Sequence, residues 1–201
     1  MERFDADELE LWAQSVQPWR CVTFMLLCAE RMLPQYRLFM RETGWGDDKP
    51  LRTSLDAAWK WASTNEVPED LTHLADTCEQ SAPDTEDFDS EFTSAALDAA
   101  ASITTALDAI REFKTSYVVD VAMLGRDSVD LWLQRRFDTD PSLQLSRDAV
   151  VEDPLMQREL RAQREQREYL RYSTATRRKI TTELRARCSN LSMGSLECEV
   201  P

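Results

Sequence analysis

The sequence predicts an all-α fold: a single-domain, multi-helix bundle of about eight or nine helices with a central apolar helix at 19–33. Three observations carry that prediction. Glycine is scarce, with 4 in 201 residues, where average usage of about 7% would give about 14. Leucine (23) and alanine (20) far outnumber valine (10) and isoleucine (3), the reverse of the enrichment found in strands. Prolines and capping residues cut the chain into helix-length pieces, and apolar residues recur inside them at steps of three and four. The length suits one domain, 1–201, with 190–201 as a short C-terminal tail.

Each element follows from local signals. Asp5 is the N-cap of a short first helix that ends near Ala13. Pro18 precedes a second helix, Trp19 to Leu33, in which Cys21 to Ala29 is apolar apart from Thr23. A helix apolar nearly all round is a central one. Pro34 suits the first turn of a third helix that stops at Gly44. Pro50 opens a fourth, with Leu51, Leu55, Ala58, Trp59 and Ala62 as its stripe, and Pro68-Glu69-Asp70 opens a fifth through Leu71, Leu74, Ala75 and Cys78. Phe92, Ala96, Ala99, Ile103, Ala106, Ile110 and Phe113 then alternate steps of four and three over a long helix. Lys114-Thr115-Ser116 breaks the chain before a helix that runs from Val118 towards Trp132. Asp138 to Ser142 is a turn by composition, and Asp153-Pro154 caps an Arg/Glu/Gln-rich helix to about Tyr172. Ala175 to Cys188 forms the last helix, with Ile180 and Leu184 inward.

Charge narrows the classes of partner. The net charge is −13, which disfavours nucleic acid and anionic lipid, since both attract basic surfaces. Its distribution is uneven. Val151 to Cys188 holds ten basic and six acidic residues, net +4, whereas the first 150 residues hold fourteen and twenty-nine, net −15. Within the basic stretch, Arg161/Glu165 and Arg164/Glu168 stand at i,i+4. That is the pattern of a solvated helix face or of packing against acidic surface. The start Met1-Glu2-Arg3-Phe4-Asp5 does not read as a signal peptide, and the longest apolar run is nine residues, too short to span a bilayer. The expected location is the cytoplasm. Five cysteines without a CxxC pair read as reduced thiols.

Chemistry-bearing motifs are few. The single histidine, His73, lies off the apolar stripe of its helix. Cys21 and Cys28 lie about 10 Å apart along a helix, too far to share one zinc. The acidic run Asp84 to Glu91 fails the calcium-loop register, because Phe92 occupies the glycine position. Its place before the long helix suits the helix dipole instead. No GxSxG, GxxxxGK[ST] or GxGxxG is present. The expectation is therefore no catalytic residue, no cofactor and no metal.

Two local features stand out. Trp59 and Trp61 lie about 200° apart around one helix, so either that helix is sandwiched between two layers or one indole sits at an interface. Gly44-Trp45-Gly46-Asp47 is a tight aromatic loop. With a third helix folding back from Pro34, the loop returns beside Arg20, where Asp47 pairs with Arg20 as a latch or Trp45 stays exposed as a binding handle.

These residues resemble the bacterial YjaG family, domain of unknown function 416. The similarity is carried by Trp19-Arg20-Cys21-Val22-Thr23-Phe24-Met25, Cys28-Ala29-Glu30-Arg31-Met32, Pro34-x-Tyr36, Phe39 and Thr43 to Asp47. It departs between Gly125 and Val151, a longer and differently composed stretch. The resemblance implies an all-helical bacterial protein and brings no catalytic residues with it. Three function classes remain. The first is a non-enzymatic interaction or regulatory protein, with a protein partner or as a homodimer. The others are a small-molecule or enzymatic domain near Glu30, Arg31 and Asp47, and a nucleic-acid-associated or ribosome-associated factor using the arginine helices.

Overall fold

A single long helix, α2 (Pro18–Thr43), forms the axis about which the other helices pack. The computed structural model describes residues 1–139 and 147–190, and among these the chain forms nine helices and no strand. Every residue from Cys21 to Ala29 is buried. The one polar member, Thr23, donates its hydroxyl to the Trp19 carbonyl at 2.7 Å, so its burial leaves nothing unpaired.

The expected break at Pro34 is absent. Pro34 lies inside α2, which runs unbroken to Gly44. A proline within a helix removes one backbone hydrogen bond and crowds the preceding turn, at a cost of about 3 kcal/mol. Packing on both sides outweighs that cost: Met32, Leu33, Gln35, Tyr36 and Phe39 are all buried. The expected second and third helices are therefore one helix of 26 residues. Gly44 ends it in the left-handed conformation (φ 69°), its N–H donating to the Met40 carbonyl at 2.9 Å.

The remaining elements lie close to expectation. Helix α1 (Ala6–Ser15) is capped by Asp5, which accepts from the Glu8 N–H at 2.9 Å. Helices α3 (Lys49–Thr64) and α4 (Leu71–Gln80) follow the proline signals. Helix α5 (Thr93–Arg111) packs along α2 more extensively than any other described pair of helices. Its seam of Ala96, Ala99, Ile103 and Ala106 is fully buried, the alanines permitting close approach. Helix α6 (Thr115–Thr139) starts at the expected break. A short helix, α7 (Arg147–Glu152), was not foreseen. Asp153 caps α8 (Pro154–Tyr172) by accepting from the Leu155 N–H at 2.8 Å, and α9 (Arg177–Asn190) places Ile180 and Leu184 inward. Of the expected turn Asp138 to Ser142, Asp138 and Thr139 belong instead to the end of α6, and Asp140-Pro141-Ser142 lies outside the described residues, as does the tail 191–201 with Cys198.

The main core joins α1 to α6 with α8 and α9. A smaller cluster of Val129, Leu133, Val150, Met156 and Leu160 ties α6, α7 and α8 together. Trp59 and Trp61 are both buried. The Trp59 indole N–H reaches Glu30 of α2, and the Arg177 guanidinium of α9 lies over the Trp61 ring at 5.0 Å. Helix α3 is the sandwiched one.

Candidate functional site

The loop after α2 is held from within. Trp45 packs against Phe39 and Phe88, with ring centroids 5.9 and 5.3 Å away, and those two rings meet each other edge-on at 5.1 Å. Gly46 has a positive φ of 94°, and a Cβ there would lie 2.9 Å from the Tyr36 hydroxyl, so both backbone and space call for glycine. Tyr36 donates that hydroxyl to the Ser81 carbonyl at 2.7 Å. Asp47 accepts from the Lys49 N–H at 3.0 Å, and Trp45 remains 37% exposed.

Arg20 is not part of this loop. Because α2 is continuous, the 24 residues from Arg20 to Gly44 separate them by about 36 Å along the helix. The expected pairing of Asp47 with Arg20 does not form. Arg20 instead donates to the carbonyls of Leu170 and Ser173, the latter at 3.1 Å, where α8 ends. Arg177 does the same for α3, donating to the Trp61 and Ala62 carbonyls at 2.7 Å each. Guanidinium groups at these sites add donors to the carbonyls at the helix ends and oppose the negative end of the helix dipole.

Glu30 and Arg31 sit midway along α2 and face different helices. Arg31 forms two hydrogen bonds to Glu159 of α8, at 2.8 and 2.7 Å. Gln163 donates to the same carboxylate at 2.9 Å and to the Ala122 carbonyl at 3.0 Å. Gly125 of α6 makes the room, since a Cβ there would come within 3.1 Å of the Glu159 carboxylate. Burial alone would raise the Glu159 pKa, but the Arg31 charge and its hydrogen bonds hold it below the usual carboxylate range. Glu30 accepts from both Arg52 Nη atoms, at 2.8 and 2.9 Å, and from the Trp59 indole at 2.9 Å. The two residues thus join α2 to α8 and to α3, and Asp47 is not brought to them. The small-molecule site expected from Glu30, Arg31 and Asp47 is not assembled.

Burial pushes the thiols of Cys21 and Cys28 up to about 12 and those of Cys78 and Cys188 up to about 11, so all four stay protonated at neutral pH. Among the described residues, no group of three or more His, Cys, Asp or Glu is placed to hold a metal ion, and no helix is long and apolar enough to cross a membrane.

A different surface collects the features of a docking site. Between α1 and α8 lies an open cleft of about 410 Å³, lined by Glu8, Leu11, Trp12, Arg164, Arg167, Glu168, Arg171 and Tyr172. Leu11 is 65% exposed and Tyr172 is 72% exposed, two of the largest exposures of big apolar side chains among the described residues. The buried Trp12 indole N–H in this lining has no hydrogen-bond partner among the described residues. Sequence reasoning missed this cleft. The available signal was Leu11, which stands off the Leu9/Trp12/Ala13 stripe that α1 buries.

The comparisons with known proteins agree with the fold. A family model described as "Protein of unknown function (DUF416)" matches residues 11–195. The chain belongs to the DUF416 family. The DUF416 chain is 29% identical over 137 residues to "Uncharacterized protein YjaG" of Escherichia coli K12, covering 61% of this chain and 69% of that protein. It is 26% identical over 124 residues to an uncharacterized protein of Haemophilus influenzae, covering 60% and 63%. A crystal structure of a DUF416 family protein from Shewanella baltica OS155 superposes with a TM-score of 0.84 at 20% identity, covering 96% of this chain and 97% of that one. That likeness extends the all-helical architecture to a second DUF416 member.

Proposed function

We propose that this DUF416 protein is a non-enzymatic interaction or regulatory protein that docks partners in the cleft between α1 and α8. One observation carries the reading: Leu11 and Tyr172, both largely exposed, line the same cleft with charged side chains around them. An apolar centre with a polar rim is the anatomy of a protein interface. The polar centre on α2 supports the same view, because Glu30, Arg31 and Glu159 spend their hydrogen bonds on neighbouring helices. The Gly44–Asp47 loop is a latch in this reading, supported by the packing of Trp45 on Phe39 and Phe88. Free, mostly buried thiols fit a reducing, cytoplasmic setting.

The test is cross-linking of the purified chain in a bacterial lysate, comparing wild type with Leu11→Glu and Tyr172→Ala. Both variants keep the wild-type melting curve and lose the cross-linked species. Unchanged cross-linking in both variants overturns the assignment.

A further inference from the structure

We propose that the cleft between α1 and α8 takes a second copy of this chain, with α1 of each copy lying along α8 of the other in a two-fold dimer. The inference rests on the reading of that cleft as a docking surface and names its occupant.

The argument begins with charge. On α1, Glu8 lines the cleft and Asp7 adjoins it; on α8, Arg164, Arg167 and Arg171 line it with Glu168 among them, so the α1 edge is net acidic and the α8 edge net basic. A two-fold interface makes each contact twice with the edges exchanged. A face with one acidic and one basic edge is therefore complementary to itself. Much of this charge is already paired inside the chain: Arg164 with Glu2 and Glu168 at 2.9 Å each, and Arg167 with Glu8 at 3.3 Å. One charge of each sign is left over. Among the described residues, Asp7 has no basic partner and Arg171 has no acidic one, its guanidinium lying 5.9 Å from the centre of the Tyr172 ring.

Position completes the match. Asp7 stands one turn before Leu11 on α1, and Arg171 adjoins Tyr172 at the end of α8. Each edge thus carries one unmatched charge beside one exposed apolar side chain. Two-fold docking sets Leu11 against Tyr172 and Asp7 against Arg171, twice over. A purely acidic partner would match Arg171 but meet Asp7 and Glu8, and a purely basic one would have the reverse conflict. The net charge of −13 opposes approach of two copies. Screening confines that repulsion to roughly 8 Å at physiological ionic strength, the range in which the paired edges act.

Sedimentation velocity and native mass spectrometry of the full chain over a concentration series provide the test. The expected mass rises from the 23.2 kDa of one chain to twice that value. Arg171→Glu and Asp7→Arg each weaken association by roughly tenfold or more, from two exposed pairs turned repulsive. The double variant D7R/R171E restores it, because the same pair is remade with its signs exchanged. Melting curves confirm that each variant is folded. A wild-type chain that stays at 23.2 kDa throughout overturns the inference. So does a dimer that none of these substitutions weakens, or a double variant that remains as weak as the single ones. If the chain is monomeric yet Leu11→Glu still loses a cross-linked partner, the second copy is excluded and the docking reading stands.

Discussion

Arg31 reaches Glu159 where their side chains are only 11% and 2% exposed. Removing one member of such a pair leaves the other charge buried without compensation. Glu159→Ala should therefore destabilise the fold by about 3–5 kcal/mol, whereas Arg31→Met with Glu159→Leu should cost much less. Urea unfolding of the single and double variants measures the difference. The sign of the pH effect follows from the lowered pKa of Glu159. Its contribution is present above the unfolded carboxylate value and is lost as pH falls through the folded one. Asp98 works in the opposite sense. Burial pushes its carboxyl up to about 6, although Ser128 donates to it at 2.8 Å. The folded state then holds this proton more tightly than the unfolded chain, so the cost of burying the charge appears as pH rises from about 4 to about 6. Asp98→Asn should change stability little at pH 4 and raise it by about 3 kcal/mol at pH 7. Urea unfolding at the two pH values checks it, and equal shifts at both would remove Asp98 as the cause.

At the scale of the element, α2 carries the main departure from sequence expectation. Pro34 offers no N–H to the Glu30 carbonyl one turn earlier, yet the helix continues through it. Pro34→Ala should restore that hydrogen bond and raise stability by about 1–3 kcal/mol. A fall in the unfolding midpoint would show that the ring supplies packing that alanine cannot replace. The loop that ends α2 depends on its aromatic contacts. Trp45→Ala removes the ring that covers Phe39 and Phe88 and should lower stability by about 1–3 kcal/mol without loss of helix content. Thermal unfolding followed by circular dichroism decides it, and an unchanged midpoint would end the latch reading.

The whole molecule is organised by where its charge goes. The basic stretch behind the nucleic-acid-associated reading is largely turned onto the protein itself. Arg164 pairs with Glu2, Arg167 with Glu8 and Arg185 with Asp56, while Arg177 caps α3. The acidic first 150 residues and the basic stretch from Val151 to Cys188 meet as two sides of one fold. Cys21, Cys28 and Cys78 lie inside the main core. Their reaction with a thiol reagent should therefore proceed at the rate of global unfolding and speed up with each core-destabilising variant. Labelling at a rate independent of stability would place these thiols in locally open segments.

Helix identity and helix faces were legible in the sequence because both are short-range properties. The Asp5 and Asp153 caps, the α5 alanine seam and the burial of Cys21 to Ala29 follow from residues within a turn or two of one another. Pro34 was misread because its local penalty is visible in sequence, whereas the packing that offsets it comes from residues distant along the chain. The same limit applies to the polar centre. Glu30 and Arg31 are neighbours in sequence, yet one is claimed by Arg52, 22 residues away, and the other by Glu159, 128 residues away. Sequence alone determined most of the helical segments and the faces they bury, but neither the continuity of α2 through Pro34 nor α7. Tertiary structure decided which charges meet and which apolar side chains remain exposed, because both depend on contacts made across the chain.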